Sequence, residues 1–286
     1  MNDMKVCVAG LGLIGGSICM ALKRAGYKVD GWNRSPSALD YAVENGIIDG
    51  AACPFVAYDV VFVALPPEAI INFIDCNKFK DGGIVTDICG VKKFIEDKVY
   101  SSKRNFRYVG CHPMAGKEVS GIRNACAELF DRASMVITSD GRTDQVALET
   151  VRKLTRDMGF KYIVECSAKI HDAKIAYTSQ LAHVVSNAYV RDERLESCIG
   201  FTGGSFQDMT RIAGVDEYVW ASLYLKNAAE ISDCLQNLIN SLSVIKAEID
   251  GGDVEKLRKL LLEGKVRFKS NKKMMPSDNI IVTKLK

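Results

Sequence analysis

The residue best suited to acid–base chemistry in this sequence is His112, which lies in residues 110–116 between two glycines and beside a proline. Glycine and proline at these positions predict a fixed turn that presents the imidazole. A neutral imidazole can accept a proton from a hydroxyl group near pH 7, because its usual pKa is about 6.5. We therefore predict that His112 is a general base. The alternative is a loop histidine that makes one backbone hydrogen bond.

A second group of residues is suited to binding a nucleotide. Residues 5–9 form a short apolar run, which is followed by a glycine-rich turn and then by a helical pattern over residues 18–25. Such a turn brings the backbone close to a pyrophosphate, and the first turn of the helix offers it unpaired N–H groups. The pattern predicts dinucleotide binding rather than a purely structural turn. The expected cofactor contacts are Gly10, Gly12, Leu13, Ile14 and Gly15.

The end of the second predicted strand indicates which dinucleotide is bound. Residues 27–32 lead into Asn33, Arg34 and Ser35, at the place where an acidic residue would accept hydrogen bonds from the ribose of NAD. A guanidinium and a hydroxyl suit a 2′-phosphate instead, and no carboxylate stands at these three positions to repel it. We therefore expect NADP to be favoured over NAD. Asp30 lies too early in the strand to replace the carboxylate.

The next apolar runs predict one parallel sheet whose strand ends meet at a single crevice. One run ends at Leu65 and Pro66, and the following run ends at Asp87, just before the turn that contains Gly90. Ligands of open α/β sheets bind at the carboxyl ends of the strands, so we expect Leu65, Pro66 and Asp87 to contact the cofactor near the glycine turn and His112. The predicted fold is a Rossmann-type α/β domain over residues 1–165. Its later strands are predicted over residues 59–65, 83–87, 106–110, 133–138 and 162–165.

After residue 165 the apolar residues take up helical spacing, and proline is absent until position 276. Ser167 can cap a helix that extends to about Tyr189. From Trp220 onward, apolar residues recur every three or four positions, which predicts a helix of about 30 residues with a long apolar seam. A buried core helix is one explanation, but such a seam would otherwise meet water. We therefore predict an all-α dimerisation domain over residues 166–270, followed by a basic tail at residues 271–286.

The composition excludes several classes of protein. Of the 286 residues, 48% are hydrophobic and 26% are charged, as is typical of a globular protein. The ten cysteines never form a C-x-x-C pair, so we expect free thiols in a cytoplasmic protein. No apolar run approaches the roughly 20 residues of a membrane span. The net charge of +3 arises from the tail, whose basic residues are spread out. We expect no metal site, no membrane association and no nucleic-acid partner.

With these motifs in this order, the chain resembles the prephenate/arogenate dehydrogenase family of tyrosine biosynthesis. The resemblance implies a Rossmann-type domain followed by a helical dimerisation domain. It also implies a reaction in which hydride passes from prephenate to the nicotinamide while the ring carboxylate leaves as CO₂. The segments that carry it are residues 10–17, 87–92, 110–116 with Glu118, 171–172, 179–183 and 203–211, and Trp220.

The resemblance also implies roles for individual residues. His112 would accept the hydroxyl proton of the substrate. Arg211 would hold a substrate carboxylate through paired hydrogen bonds, and Asp208, one helical turn earlier, would orient Arg211. His183 would contact the pyruvyl side chain, and Glu118 would tune or gate the site.

Several positions depart from the family pattern or support it only indirectly. Gly90 stands where many relatives have a serine that helps to hold the substrate hydroxyl, so a water molecule or a backbone N–H must replace that donor. Gln180 replaces a frequent histidine, and Lys117 replaces a frequent threonine. Trp220 is expected to belong to the core more than to the ligand contacts. These departures leave the choice between prephenate and arogenate open.

Three other functions are compatible with parts of the sequence. An arogenate dehydrogenase would act on the amino analogue of prephenate. A β-hydroxyacid dehydrogenase joins a similar nucleotide fold to helices but relies on a lysine base, and neither Lys169 nor Lys174 lies in such a motif. A non-catalytic NADPH-binding sensor would have no reason to keep His112, His183 and Arg211 together.

Overall fold

The structure, a computed structural model, describes residues 3–52, 54–272 and 281–285. Within these ranges one sheet contains the strands β1 (Val6–Ala9), β2 (Val29–Trp32), β3 (Gly50–Ala51), β4 (Val60–Val63), β5 (Ile84–Asp87), β6 (Arg107–Pro113), β7 (Ser134–Thr138), β8 (Tyr162–Cys166) and β9 (Ile281–Lys284). The strands lie in the order β3-β2-β1-β4-β5-β6-β7-β8-β9. The pair β6–β7 is antiparallel, and the other neighbouring pairs are parallel.

Both faces of this sheet are covered by helices and loops, as the apolar strands require. Alternate residues of β1 belong to different cores, because Val6 and Val8 pack into one cluster and Cys7 and Ala9 into another. A strand buried on both faces is typical of a parallel sheet in an α/β fold. The predicted Rossmann-type fold is therefore confirmed. The helices of this part are α1 (Leu13–Arg24), α2 (Pro36–Glu44), α3 (Pro67–Cys76), α4 (Lys93–Tyr100) and α5 (Gln145–Asp157).

The strand β6 is longer than the sequence predicts, and it includes His112. Its end pairs antiparallel with β7, so that His112 lies opposite Val136 and Pro113 lies opposite Met135. The N–H of Met114 then donates to the carbonyl of Ser134 over 2.8 Å. The prediction of a turn around His112 was therefore wrong, because pairing with β7 keeps the chain extended through Pro113. The imidazole is held by a sheet rather than by a loop.

After β8 the secondary-structure elements up to residue 272 are all helices, joined by loops. Ser167 caps the first helix, since its hydroxyl accepts a hydrogen bond from the N–H of Ile170 over 3.3 Å. The predicted helix to Tyr189 is present, but it contains a π-helical turn at Ala176–Gln180. The helices of this part are α6 (Ala168–Ile175), α7 (Leu181–Tyr189), α8 (Gly204–Thr210), α9 (Glu217–Lys226), α10 (Ala228–Gly251) and α11 (Val254–Lys272).

The long helix predicted from Trp220 is interrupted at Asn227, which corrects that prediction. Asn227 is buried, and its side-chain amide donates to the backbone carbonyl of Asp172 over 2.9 Å and to Oε1 of Gln180 over 2.7 Å. These bonds hold Asn227 outside helical geometry, with φ −126° and ψ 27°. The break ends α9 at Lys226 and lets α10 begin at Ala228, and Leu223 of α9 packs against the core on one face of the sheet.

Part of the apolar seam meets solvent in the single chain. The exposed apolar side chains on α10 and α11 include Leu242, Ile249, Leu261 and Phe268. No helix of the described residues is long and apolar enough to cross a membrane. In the predicted basic tail, residues 273–280 and 286 lie outside the described residues. Its described segment β9 pairs in parallel with β8 at the edge of the sheet.

Candidate active site

One cavity lies where the carboxyl end of β6 faces α7 and α9. Its volume is about 590 Å³. On the sheet side it is lined by His112 and by the loop that follows, which contains Glu118. On the helical side it is lined by Ser179, His183 and Trp220. Four residues that the sequence predicts for the site, His112, Glu118, His183 and Trp220, are thus brought together around one space.

The imidazole of His112 joins a chain of polar groups. Its Nδ1 lies 2.9 Å from Nε2 of His171, and Nδ1 of His171 lies 2.6 Å from Oδ1 of Asp172. On the other side of the ring, a Cβ placed on Gly90 would lie 3.7 Å from Nε2 of His112. One nitrogen of His112 is therefore engaged by protein, and the other faces the turn after β5.

The surroundings of these two imidazoles favour their neutral forms. Burial lowers the pKa of His112 well below its usual value, and the neighbouring His171 and the ammonium of Lys92 act in the same direction. Burial also lowers the pKa of His171, although its hydrogen bond to Asp172 opposes that effect. Since only a neutral imidazole can accept a proton, His112 is kept in the form that a general base needs.

A buried ion pair supports the strand that carries His112. The side chains of Lys92 and Asp87 pair with each other, and both are fully buried. The ammonium of Lys92 also donates to the carbonyl of Cys111 over 2.6 Å. Asp87 accepts further hydrogen bonds from the hydroxyl of Tyr108 and from the N–H of Cys89. The carboxylate of Asp87 therefore holds the turn after β5 inside the protein, and it is not presented to a cofactor as the sequence suggested.

His183 and Trp220 form the helical wall of the cavity. Their ring centroids lie 3.9 Å apart, with an angle of 43° between the ring planes. Nδ1 of His183 lies 3.0 Å from the carbonyl oxygen of Ile212, to which it donates a hydrogen bond. Burial lowers the pKa of His183. Trp220 thus does more than fill the core, because it packs on the one face of His183 and lines the cavity.

Arg211 lies beside the cavity and not in its wall. Its guanidinium donates to Oε1 of Glu118 over 2.8 Å, and both side chains are 62% exposed. The hydrogen-bond partner of Arg211 is therefore Glu118, and the predicted orientation of Arg211 by Asp208 is not observed. The reason is that Arg211 caps the end of α8 and extends across to the loop after β6.

The glycine turn before α1 fits a dinucleotide. A Cβ on Gly10 would lie 2.2 Å from the carbonyl oxygen of Ala64, and a Cβ on Gly15 would lie 1.8 Å from the carbonyl oxygen of Gly10. Glycine is required at both positions because the turn packs closely on Ala64 and on itself, which leaves no room for a side chain. Gly12, by contrast, has open space where a Cβ would be, and it caps α1 without a side chain. The exposed face of the turn is thus free for the phosphates of a dinucleotide, with Leu13 and Ile14 in the first helical turn.

The residues after β2 divide into one that supports this turn and two that face solvent. Oδ1 of Asn33 accepts the N–H of Leu11 over 3.0 Å, so Asn33 ties the end of β2 to the glycine turn. Arg34 and Ser35 are exposed. The hydroxyl of Ser35 lies 2.9 Å from that of Ser37. Leu65 and Pro66 follow β4, the strand next to β1 on its other side.

Two residues of the polar chain were not identified as site residues from the sequence. His171 and Asp172 appear there only as an adjacent pair within the family resemblance. The useful signal was the small number of histidines, because three in the whole chain leave one unassigned beside His112 and His183. Gln180 is buried behind the cavity, where it accepts a hydrogen bond from Asn227. Among the described residues, no cluster of three or more His, Cys, Asp or Glu is suited to hold a metal ion.

Comparison with known proteins places this geometry in a family. The model for the nucleotide-binding domain of prephenate dehydrogenase matches residues 18–164, and the model for its dimerization domain matches residues 167–263. The chain is 31% identical over 278 residues to the prephenate dehydrogenase of Bacillus subtilis, a match that covers 90% of this chain and 74% of that protein.

Solved structures agree with this placement. The arogenate dehydrogenase of Synechocystis superposes with a TM-score of 0.80 at 26% identity, covering 94% of this chain and all of that one. The prephenate dehydrogenase of Aquifex aeolicus, in complex with hydroxyphenyl propionate and NAD⁺, gives the same TM-score and identity and covers 94% of this chain and 99% of that one. Two family models that together span most of the sequence, and a relative above 30% identity, lead to one conclusion: this chain belongs to the prephenate dehydrogenase family.

Proposed function

We propose that this enzyme oxidises prephenate to 4-hydroxyphenylpyruvate, with NADP as the preferred hydride acceptor. The observation that supports the proposal most directly is the setting of His112. Its Nδ1 is engaged by His171, its Nε2 faces the turn at Gly90, and the ring lines the cavity. A neutral imidazole in that position can accept the proton of a substrate hydroxyl. A sensor that only binds NADPH would not need such a group.

The reaction needs one group that holds a proton for part of the cycle. A nicotinamide, when bound at the glycine turn, would supply an acceptor for the hydride that leaves the ring carbon bearing the hydroxyl. As the C–H bond breaks, the O–H bond also breaks, and the proton moves to Nε2 of His112. The bond between the ring and its carboxylate then breaks and CO₂ leaves, which makes the ring aromatic. The phenolate oxygen takes the proton back, so that His112 ends neutral and no net proton is released.

Groups beside the cavity can bind the two carboxylates of the substrate. Arg211 provides a guanidinium, and its present partner Glu118 lies in the cavity wall. An exposed ion pair of this kind is worth little, so a substrate carboxylate can displace Glu118 at small cost. His183 and Ser179 offer hydrogen bonds to the side chain at the helical end. Glu118 therefore stands where it can occupy Arg211 until the substrate arrives.

The preference for NADP is supported by the residues after β2. Arg34 is exposed, and Ser35 and Ser37 place two hydroxyls beside it at the start of α2. Asn33 uses its side chain on the glycine turn. A 2′-phosphate would therefore meet a cation, two hydroxyls and the N-terminus of a helix. The test is kcat/KM for NADP and for NAD in the unsubstituted enzyme and in Arg34→Ala. A fall confined to NADP supports the proposal, and an equal fall for both cofactors contradicts it.

The assembly and the location of the enzyme are also proposals. We propose domains at residues 1–165 and 166–270 with a tail at 271–286, and a homodimer formed through α10 and α11. The match to a dimerization domain and the exposed apolar side chains of these helices support the dimer. The nine cysteines that the structure describes are free thiols, as expected in the cytoplasm. Sedimentation of Leu242→Glu beside the unsubstituted chain tests the dimer, since only the variant should sediment as a monomer.

The decisive experiment on the substrate crosses prephenate and arogenate with NADP and NAD in steady-state assays. The alternative function, oxidation of arogenate, is favoured by the similarity to the Synechocystis enzyme. The departures from the family pattern at Gly90, Lys117 and Gln180 leave the choice between the two substrates open. A higher kcat/KM for prephenate supports the proposal, and a higher value for arogenate replaces it with the alternative. Absence of turnover with both acids would refute both functions.

A further inference from the structure

The pair His171–Asp172 is not used by the mechanism described so far. His171 is 2% exposed and Asp172 is 3% exposed, so neither side chain can contact a substrate in the cavity directly. They lie on α6, and His171 contacts Nδ1 of His112, whereas Gly90 is nearest to Nε2 and Cε1 of that ring. Their hydrogen bonds nevertheless determine which nitrogen of His112 can act.

The carboxylate of Asp172 is held in a fixed position. Its Oδ1 accepts a hydrogen bond from the backbone N–H of Lys92 over 2.8 Å, and its Oδ2 accepts one from the backbone N–H of Lys93 over 2.9 Å. These are N–H groups at the start of α4, where a helix favours a negative charge. Backbone N–H groups can only donate, so both oxygens of Asp172 are acceptors. The proton between Asp172 and His171 therefore belongs to Nδ1 of His171.

This assignment propagates to His112. A neutral His171 that carries its proton on Nδ1 has a lone pair on Nε2, and that lone pair can only accept. Nδ1 of His112 must then be the donor in the 2.9 Å hydrogen bond between the two rings. Nε2 of His112 is left without a proton, and it is this atom that faces Gly90. The tautomer that a general base needs is thus set by the carboxylate of Asp172, which is linked to His112 by two successive hydrogen bonds through His171.

The same hydrogen bonds place the negative charge of Asp172 where it can stabilise a protonated His112. When His112 takes up a proton it becomes a cation near the ammonium of Lys92, which is itself paired with Asp87. Asp97 and Lys169 line the surface cavity next to Asp172, and Lys93 pairs with Asp97 there. Asp172 is the carboxylate joined to His112 by hydrogen bonds, so its charge stabilises the transient imidazolium most directly.

We propose that His171 and Asp172 are positioning residues that fix the reactive tautomer of His112 and stabilise its protonated form during turnover. The role of the pair in turnover rests on the proposed function, whereas the tautomer is a property of the resting protein. It follows from the contacts among three residues on two elements, β6 and α6, and from the cap that Asp172 provides to α4.

The first test needs no substrate. Because the chain has three histidines, the ¹⁵N NMR signals of the imidazoles in the full-length protein can be assigned with the aid of His183→Gln. We expect His112 to carry its proton on Nδ1 and to have an unprotonated Nε2 at neutral pH. A His112 protonated on Nε2 would overturn the proposal even if the enzyme oxidises prephenate. If the expected tautomer is found but no cyclohexadienyl acid is turned over, the proposed function fails alone.

The second test is a double-mutant cycle. Asp172→Asn should lower kcat by about tenfold or more and change KM little. This loss is part of the 10²–10⁴-fold rate enhancement that general base catalysis typically supplies. In this variant the acid limb of the pH profile of kcat/KM should move to lower pH, because the imidazolium of His112 is less stable without the carboxylate of Asp172. In the background of His171→Gln, which keeps an acceptor for His112 but breaks the link, Asp172→Asn should have little further effect.

The control is Asp97→Asn, which removes the same charge from the same surface cavity and should leave kcat and the pH profile unchanged. Additive effects of Asp172→Asn and His171→Gln would overturn the proposal, and so would an unshifted acid limb. If Asp172→Asn does not fold because α4 loses its cap, the imidazole signals of the unsubstituted protein still decide the tautomer.

Discussion

The buried pair Lys92–Asp87 provides the sharpest test of how the site is supported. In Lys92→Met the carboxylate of Asp87 would keep its hydrogen bonds from Tyr108 and Cys89 but lose its counter-charge in a fully buried setting. Removal of one partner from such a pair leaves an uncompensated charge and typically costs about 3–5 kcal/mol. The carbonyl of Cys111, next to His112, would also lose its donor. We therefore expect a loss of that size in the free energy of unfolding.

The matched control for this experiment is the next residue in the chain. Lys93 also pairs with an aspartate, Asp97, but the two side chains are 59% and 55% exposed. Water solvates both ions there, so Lys93→Met should leave the free energy of unfolding unchanged within the error of a urea titration. Equal effects of Lys92→Met and Lys93→Met would refute the argument from burial. Addition of Asp87→Asn to Lys92→Met should recover part of the lost stability, because the unpaired charge is then removed.

The remaining predictions concern the site itself. Because burial lowers the pKa of His112, the acid limb of kcat/KM should lie below about pH 6.5 in a steady-state pH series, and a limb above that value would contradict the lowered pKa. The pKa of His171 is lowered too. Below about pH 6.5 the unfolded chain therefore binds a proton at His171 that the folded chain does not bind. The free energy of unfolding, measured in urea, should be highest above that pH and should fall as the pH is lowered. Arg211→Ala should raise KM for the diacid with little change in kcat, and a defect mainly in kcat would remove Arg211 from substrate binding. Gly90→Ser should melt close to the unsubstituted protein, since a Cβ there keeps 3.7 Å from both His112 and Leu223; a large fall in Tm would show that the turn is tighter than described.

The sequence predicts the nucleotide-binding half of the fold well because its signals are local. A buried strand such as β4 is a continuous apolar run, and the spacing of the glycines in the turn is visible within a few residues, although the contact that requires Gly10 is with Ala64. The mixed α/β and all-α organisation follows from the same periodicities. The extension of β6 through His112 was not predictable in this way, because it depends on antiparallel pairing with β7, more than 20 residues later in the chain.

Most parts of the site that sequence patterns missed depend on long-range hydrogen bonds. The break at Asn227 comes from buried partners on α6 and in the π-helical turn, which helical periodicity does not report. Arg211 and Glu118, which form an ion pair, are 93 positions apart in the chain. Asp87 and Lys92 are close in the chain, but their pairing depends on the burial of the turn between them, which spacing does not predict. The sequence identified Glu118, Arg211 and Asp87 as candidate site residues but not their hydrogen-bond partners, and it gave no signal for Asn227.

The π-helical turn at Ala176–Gln180 has a consequence for how this protein can vary. It accommodates one more residue than an α-helix of the same rise, and it lies between His171 and His183. Deletion of a single amino acid there would restore regular α-helical winding, because the wide turn exists to take up that residue. The helix beyond it, with His183, would then keep its direction relative to Trp220. The same deletion in a regular part of the helix would rotate His183 by roughly 100° around the axis. This short turn should therefore tolerate the loss of one residue better than the helical turns on either side of it.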